Sequence, residues 1–121
     1  MIKYSDKTKD HFFNPRNCGV MDNPTAAGKA VNPSCGDTLE LFLKIEEDII
    51  SKAMFRSFGC GAAIAAGSIF TEMLTGKTLN EALRIKNAQI SEALGGLPEE
   101  KIQCSVLAEA ALKDALKDIA K

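Results

Sequence analysis

The chain has 121 residues, of which 45% are hydrophobic, and its 15 basic and 16 acidic side chains give a formal net charge of -1. This balance excludes the clustered basic charge of a nucleic-acid-binding surface, and no apolar run approaches the roughly 18 residues that a membrane span needs. We therefore expect a single domain over residues 1–121 that contacts neither nucleic acid nor membrane.

The N-terminus and the cysteines predict the compartment. Residues 1–7 lack the apolar run that is typical of a signal peptide. The four cysteines are too few and too scattered for a disulfide scaffold in a domain of this size. We therefore expect reduced thiols in the cytoplasm at Cys18, Cys35, Cys60 and Cys104.

The first predicted element is a short helix that starts at the N-cap candidate Ser5 and ends at Phe13, before Asn14-Pro15. A turn-rich connection follows it. A weak strand is then predicted from Ala26 to Asn32, and it leads into a loop, bounded by proline and glycine, that carries Cys35.

From Thr38 onward, apolar and polar residues alternate, which predicts a strand with one buried face. A second β-rich run from Ile49 to Phe58 returns after a turn, so a hairpin is expected. The pattern leaves open which face of the second strand is buried. The predicted buried face of the first strand contains Leu39, Leu41, Leu43 and Ile45.

Helices are predicted for the rest of the chain. One begins after Cys60 and ends at Thr75-Gly76, and its predicted apolar side contains Ala62, Ala66, Ile69, Met73 and Leu74. Short helices follow at the Thr78–Glu81 capping box and at the N-cap candidate Asn87. The last, from Pro98 onward, has an apolar stripe of Leu112, Ala115, Leu116 and Ile119. This order predicts an α+β fold, a small three-stranded antiparallel sheet packed against several helices.

Cys60 lies between two glycines, where a predicted strand ends and a helix of small residues begins. Unpaired backbone N–H groups and the positive end of the helix dipole favour a thiolate there, and the thiolate is the form that binds metal or attacks sulfur. Cys60 is therefore a candidate ligand or nucleophile. The alternative is a small buried hydrophobe.

Two further cysteines have a similar setting, with Cys35 on the loop before a strand and Cys104 near the start of the last helix. Their spacing matches no zinc finger or ferredoxin motif, so spacing alone is weak evidence. If sheet and helices form one layered unit, Cys35, Cys60 and Cys104 converge at one end of it. Asp37 would add a harder oxygen ligand, whose bond to a thiophilic metal is more exchangeable.

Five motifs occur in order along nearly the whole chain: Asn14-Pro15-Arg16-Asn17, Cys35-Gly36-Asp37, Gly59-Cys60-Gly61, Leu79-Asn80-Glu81-Ala82-Leu83 and Cys104-Ser105-Val106-Leu107-Ala108-Glu109. In these motifs the chain resembles the IscU/NifU-type iron-sulfur cluster assembly scaffolds.

This resemblance implies a non-enzymatic scaffold that binds iron and sulfur, builds a transient 2Fe-2S cluster and transfers it to apo iron-sulfur acceptor proteins. Sulfur would come from a cysteine desulfurase and electrons from a donor such as ferredoxin. By motif position, Cys35, Cys60 and Cys104 would be the cluster and persulfide residues, and Asp37 the carboxylate that keeps the cluster labile. The resemblance also allows zinc in the cluster-free form and a homodimer around the cluster.

The chain departs from the family pattern at two places. The IscU branch commonly has histidine before the third cysteine, where this chain has Gln103, so the fourth cluster ligand stays open. The branch also carries a Leu-Pro-Pro-Val-Lys motif that a dedicated Hsp70-type chaperone reads. This chain has two charges in place of an apolar pair, in Leu97-Pro98-Glu99-Glu100-Lys101, so recognition by that chaperone is not implied.

Other roles compete for some of these residues. His11, the one histidine, is expected to pack or to face solvent rather than to bind metal, and Cys18 is predicted to be a small hydrophobe outside the site. A lone histidine disfavours a Cys-His hydrolase. A structural zinc module is a second alternative. The main alternative is a zinc-dependent sulfurtransferase, in which Cys35 accepts persulfide sulfur from a cysteine desulfurase without building a cluster.

Overall fold

The computed structural model of the protein describes residues 4–32, 36–98 and 101–117. The helices within these ranges are α1 (Asp6–Phe13), α2 (Gly61–Leu74), α3 (Leu79–Leu83), α4 (Asn87–Ala93) and α5 (Ile102–Leu116), and the strands are β1 (Ala26–Val31), β2 (Thr38–Glu46) and β3 (Ile49–Phe58). The strands form one antiparallel sheet in the order β1-β2-β3. The predicted α+β fold is therefore confirmed.

The hairpin of β2 and β3 forms as predicted, and its pairing decides which face of β3 is buried. Leu39, Leu41 and Leu43 of β2 are fully buried. Phe55 and Ala53 pair with Leu41 and Leu43, so they point to the same face and are buried with them. The helices α2 and α5 pack against the sheet, while α1 lies against α2 and α4 lies against α5.

Two glycines let the helices approach the sheet closely. A Cβ atom at Gly28 in β1 would lie 2.3 Å from the backbone nitrogen of Ala115 in α5. A Cβ atom at Gly67 in α2 would lie 2.4 Å from the buried ring of Phe55 in β3. Both glycines are therefore required by helix-to-sheet packing, because any larger residue would push a helix away from the sheet.

Helix α1 is joined to α2 through a buried histidine. The Nδ1 atom of His11 is 2.7 Å from Ser68 Oγ, and its Nε2 atom is 3.5 Å from an oxygen of Glu72. Ser68 Oγ also accepts the backbone N–H of Arg16 at 2.8 Å. Burial lowers the pKa of His11, with the charge of Arg16 acting in the same direction. The predicted packing role of His11 therefore agrees with the structure.

Some details of the sequence analysis were wrong. Helix α2 is buried on more sides than the predicted stripe, because Phe70 and Thr71 are buried while Ile69 and Met73 are only half-buried. Cys18 is exposed rather than packed as a hydrophobe. The N-cap of α4 is Lys86, one residue before the predicted Asn87.

The structure describes only part of the apolar stripe that is predicted for α5. Leu112, Ala115 and Leu116 are buried, whereas Ile119 lies outside the described residues. Among the helices that are described, none combines the length and the apolar character needed to cross a membrane.

Substituting Gly28 by alanine tests the close contact between β1 and α5. We expect the free energy of unfolding to fall by roughly 3 kcal/mol, because the clash is with backbone atoms that cannot rotate away. The control Lys29→Ala, at the next position of the same strand with an exposed side chain, should change it by under about 0.5 kcal/mol. Urea unfolding followed by circular dichroism measures both values. Equal stabilities of the two variants would contradict this packing.

The histidine contact predicts a pH-dependent stability. Because the folded pKa of His11 is lowered, the unfolded chain takes up a proton first, and stability should fall as the pH drops from about 7.5 to 5.5. The charged groups that act on this ring belong to Arg16, Glu72, Asp10 and Lys7.

His11→Asn retains a polar group but cannot titrate. Its unfolding free energy should therefore depend less on pH than that of the wild type. Urea unfolding of both proteins at pH 7.5, 6.5 and 5.5 makes the comparison. If the unfolding free energies of the two proteins change with pH in parallel, His11 does not cause the pH dependence.

Candidate metal centre

Three candidate ligands come together where β2 begins and where α2 and α5 begin. One ligand atom each from Asp37, Cys60 and Cys104 lies within 4.8 Å of the other two. The fourth predicted site residue, Cys35, lies outside the described residues. The structure therefore places two thiols and one carboxylate together, although they are separated by up to 67 residues in sequence.

Cys60 is positioned by the junction of β3 and α2. It is the N-cap residue of α2 and has an extended backbone, with φ at -77° and ψ at 165°. Its side chain makes no capping hydrogen bond, and the first turn of α2 contains no acidic residue. The thiol therefore lies at the end of α2 where the unpaired backbone N–H groups point.

Asp37 reaches Cys60 because Gly59 has no side chain. The thiol of Cys60 donates a hydrogen bond of 3.5 Å to Oδ2 of Asp37. A Cβ atom at Gly59, which has φ at 150°, would lie 2.3 Å from Oδ1 of Asp37. The backbone oxygen of Asp37 also accepts the N–H of Asn32, next to the end of β1, at 2.8 Å. Glycine at position 59 thus allows both the backbone conformation and the carboxylate contact.

Cys104 is the buried member of the group. It is in the first turn of α5, is 1% exposed, and its sulfur is 3.6 Å from that of Cys60. Burial, together with the adjacent Cys60 and Asp37, raises the pKa of the Cys104 thiol to about 12. A metal or cluster that binds Cys104 must therefore displace its proton.

Lys101 is a functional candidate that the sequence analysis did not select. It is the N-cap residue of α5, one helical turn before Cys104. Negative charge on Cys60 raises the pKa of Lys101, with smaller contributions from Tyr4, Cys104 and Asp37. The ammonium group therefore lies in the field of the site and partly offsets its negative charge. In the sequence, this proximity is indicated only by the spacing, because residues three apart on a helix lie on the same side.

Gln103, at the position where the resemblance implies a histidine, is exposed. It lines a groove between β1 and α5 together with Val31, Val106 and Leu107. The fourth ligand of the site is therefore not assigned to Gln103.

The donor set fits thiophilic metals. Thiolates suit zinc and iron-sulfur clusters, and a carboxylate oxygen is a harder ligand whose bond to such a metal exchanges more readily. Asp37 and Cys60 are both half-buried, so the site is open to solvent on one side while Cys104 closes the other. This arrangement can hold a soft metal group at the surface of the protein.

Comparison with known sequences gives a consistent result. The NifU-like N terminal domain matches residues 3–121. The iron-sulfur cluster assembly scaffold protein IscU 1 of Archaeoglobus fulgidus is 48% identical over 115 residues, which are 95% of this chain and 75% of that protein. The IscU scaffold protein of Escherichia coli K12 is 48% identical over 121 residues, covering 97% of this chain and 94% of its own length.

Solved structures agree with the sequence matches. A crystal structure from Fervidobacterium islandicum AW-1, described as an iron-sulfur cluster assembly scaffold protein for the SUF system, aligns with a TM-score of 0.74 and 25% identity. The alignment covers 93% of this chain and 96% of that one. The N-terminal part of a NifU-like protein from Brucella abortus also has a TM-score of 0.74, and its 17% identity supports the fold alone.

The different burial of the two site thiols predicts different reactivity. With iodoacetamide at neutral pH and a chelator present, we expect Cys60 to be alkylated readily. Cys104 should be alkylated more than about 100-fold more slowly than in the unfolded chain, because thiolate content falls about tenfold for each pKa unit. Peptide mass spectrometry gives both rates, and the same reaction in urea is the control. Equal rates for Cys60 and Cys104 in the folded protein would contradict the described burial.

Proposed function

The chain belongs to the NifU-like N-terminal domain family, and we propose that it is an iron-sulfur cluster assembly scaffold. The observation that carries the proposal is the meeting of Asp37, Cys60 and Cys104 at one point in a chain 48% identical to named IscU scaffolds. Residues 1–121 would form a single iron-sulfur scaffold domain. The buried residues of sheet and helices support this, since they form one hydrophobic core.

The proposed ligands are Cys35, Asp37, Cys60 and Cys104, and the proposed cargo is a transient 2Fe-2S cluster. Thiolates are the usual ligands of iron in such clusters, which supports this choice. The same thiolates would take up zinc when no cluster is bound. Lys101 would reduce the repulsion among these anionic ligands.

The proposed site is suited to releasing a cluster as well as to binding it. Asp37 contributes a carboxylate in place of a further thiolate, so one side of the cluster would be held by the more exchangeable bond. Asp37 is also half-buried, which gives water access to that bond. We therefore expect Asp37 to make the cluster labile.

The proposed partners are a cysteine desulfurase, an electron donor such as ferredoxin and apo iron-sulfur acceptor proteins, and the proposed location is the cytoplasm. Large exposed apolar side chains close in sequence to the site cysteines support docking there. Phe58 is 55% exposed two residues before Cys60, and Ile102 and Val106 are 41% and 43% exposed on either side of Cys104. A homodimer around the cluster would use the same end of the domain.

The scaffold would act by binding and transfer rather than as an enzyme. No observation favours the alternative of a zinc-dependent sulfurtransferase. Metal analysis distinguishes the two functions, because a sulfurtransferase would contain stoichiometric zinc and turn over persulfide without accumulating acid-labile sulfide.

Anaerobic reconstitution with ferrous iron, cysteine and a cysteine desulfurase tests the proposal. The wild type should acquire iron and acid-labile sulfide in near-equal amounts and absorb visible light. Cys35→Ser, Cys60→Ser and Cys104→Ser should each lower the cluster yield by more than about tenfold, since even outer-shell changes often cost that much. Cys18→Ser is the matched control, because this cysteine is exposed and outside the site. Normal cluster content in Cys60→Ser would contradict the proposed ligand set.

The same assay tests the role of Asp37. Asp37→Ala should lengthen the cluster lifetime and slow its transfer to an apo-ferredoxin, because the exchangeable bond is lost. If Asp37 only stabilises the loop before β2, the variant will instead melt at a lower temperature and release its cluster at the wild-type rate.

A further inference from the structure

The two site thiols that the structure describes are in direct contact. The sulfur atoms of Cys60 and Cys104 are 3.6 Å apart, and each thiol is attached to the beginning of a different helix. We propose that Cys60 and Cys104 form a reversible disulfide when the chain, with no metal or cluster bound, meets a peroxide. The proposal depends only on these two thiols, so it stands independently of the proposed function.

The geometry requires only a small movement. A disulfide has an S–S length of about 2.05 Å, so the sulfur atoms must approach by roughly 1.5 Å. Cys60 is at the N-cap of α2 and its side chain makes no capping hydrogen bond, so it can rotate without breaking the helix. Cys104 is held in α5, so the sulfur of Cys60 makes most of the movement.

The two thiols differ in their access to an oxidant. Cys60 is half-buried and can be reached by a small peroxide from solvent, whereas Cys104 is 1% exposed. Cys60 is therefore the thiol that is oxidised first, and Cys104 is the thiol that resolves the product. Sequential roles of this kind are typical of an accessible cysteine next to a second one.

The chemistry balances with a peroxide as the oxidant. The sulfur of Cys60 attacks one oxygen of hydrogen peroxide, the O–O bond breaks, and Cys60 becomes a sulfenic acid while one water leaves. The sulfur of Cys104 then attacks the sulfenic sulfur, the S–O bond breaks, and a second water leaves with the Cys104 proton. The two thiols lose two electrons and two protons, and the peroxide is reduced to two waters.

The consequence is that the oxidised site would no longer bind a metal. A disulfide sulfur is no longer a thiolate, and the thiolate is the form that binds metal. The bond would therefore remove two candidate ligands together and protect both sulfurs from irreversible oxidation. A thiol reductant would restore them.

The test uses a chain that retains only the two thiols of the pair, the variant Cys18→Ser/Cys35→Ser. It is treated with a small excess of hydrogen peroxide in the presence of a chelator. We expect both remaining thiols to disappear together, the chain to become lighter by two hydrogen atoms, and its mobility on a non-reducing gel to stay monomeric. Dithiothreitol should return both thiols.

The matched control is the triple variant Cys18→Ser/Cys35→Ser/Cys104→Ser, which retains Cys60 alone. Without a resolving thiol it should accumulate a sulfenic acid that dimedone traps, or form disulfide-linked dimers. Trapping of Cys60 by dimedone to the same extent in both variants would overturn the proposal. Survival of both thiols after peroxide treatment of the Cys18→Ser/Cys35→Ser chain would also overturn the proposal.

Peptide mapping of the oxidised wild-type protein applies the test without any substitution. The expected peptide joins Cys60 to Cys104. A monomer in which Cys35 is instead joined to either of these cysteines would show that another pair is the oxidation site. Dimers linked only through Cys18 would also overturn the proposal.

Discussion

The distance between β1 and α5 is the constraint on which the candidate metal centre depends. At Gly28 the strand and the helix touch backbone to backbone, with no room for a Cβ atom. The backbone N–H of Lys29 also donates to a carboxylate oxygen of Asp114 in α5 at 2.9 Å, which satisfies a donor on the edge strand. Because α5 also carries Cys104 near its start, this contact helps to position the helix that presents that thiol. Gly67 has the same effect on α2, which follows directly from Cys60.

Helix α1 covers the beginning of α2, close to Cys60. Its N-cap residue Ser5 and its buried Thr8 both donate hydrogen bonds to the carbonyl oxygen of Leu94, just after α4. The ring of Phe12 near the other end of α1 lies so close to Gly61 that a Cβ atom there would be 2.9 Å from it. The first helix is therefore anchored at Leu94 and contacts the start of α2 with an aromatic side chain.

The candidate metal centre combines opposing properties within a few ångströms. Cys104 is buried and its pKa is raised, which disfavours an uncompensated thiolate, whereas Cys60 is half-buried at the N-cap of α2. Asp37 places a carboxylate beside these thiols, and Lys101 adds a compensating positive charge. A bound cation would offset the repulsion that arises when these groups are all ionised. This property suits a scaffold whose cargo must both assemble and leave.

The sequence by itself determined the local elements and the residue types of the site. Alternation in β2, the N-cap Ser5 and the Thr78–Glu81 capping box depend on neighbours within a few residues, so their patterns are readable directly. The tertiary structure alone decided which face of β3 is buried, how many sides of α2 are covered and that the sulfurs of Cys60 and Cys104 touch. These features depend on how closely separate backbones pack, and that distance follows from glycines whose partners lie far away in sequence.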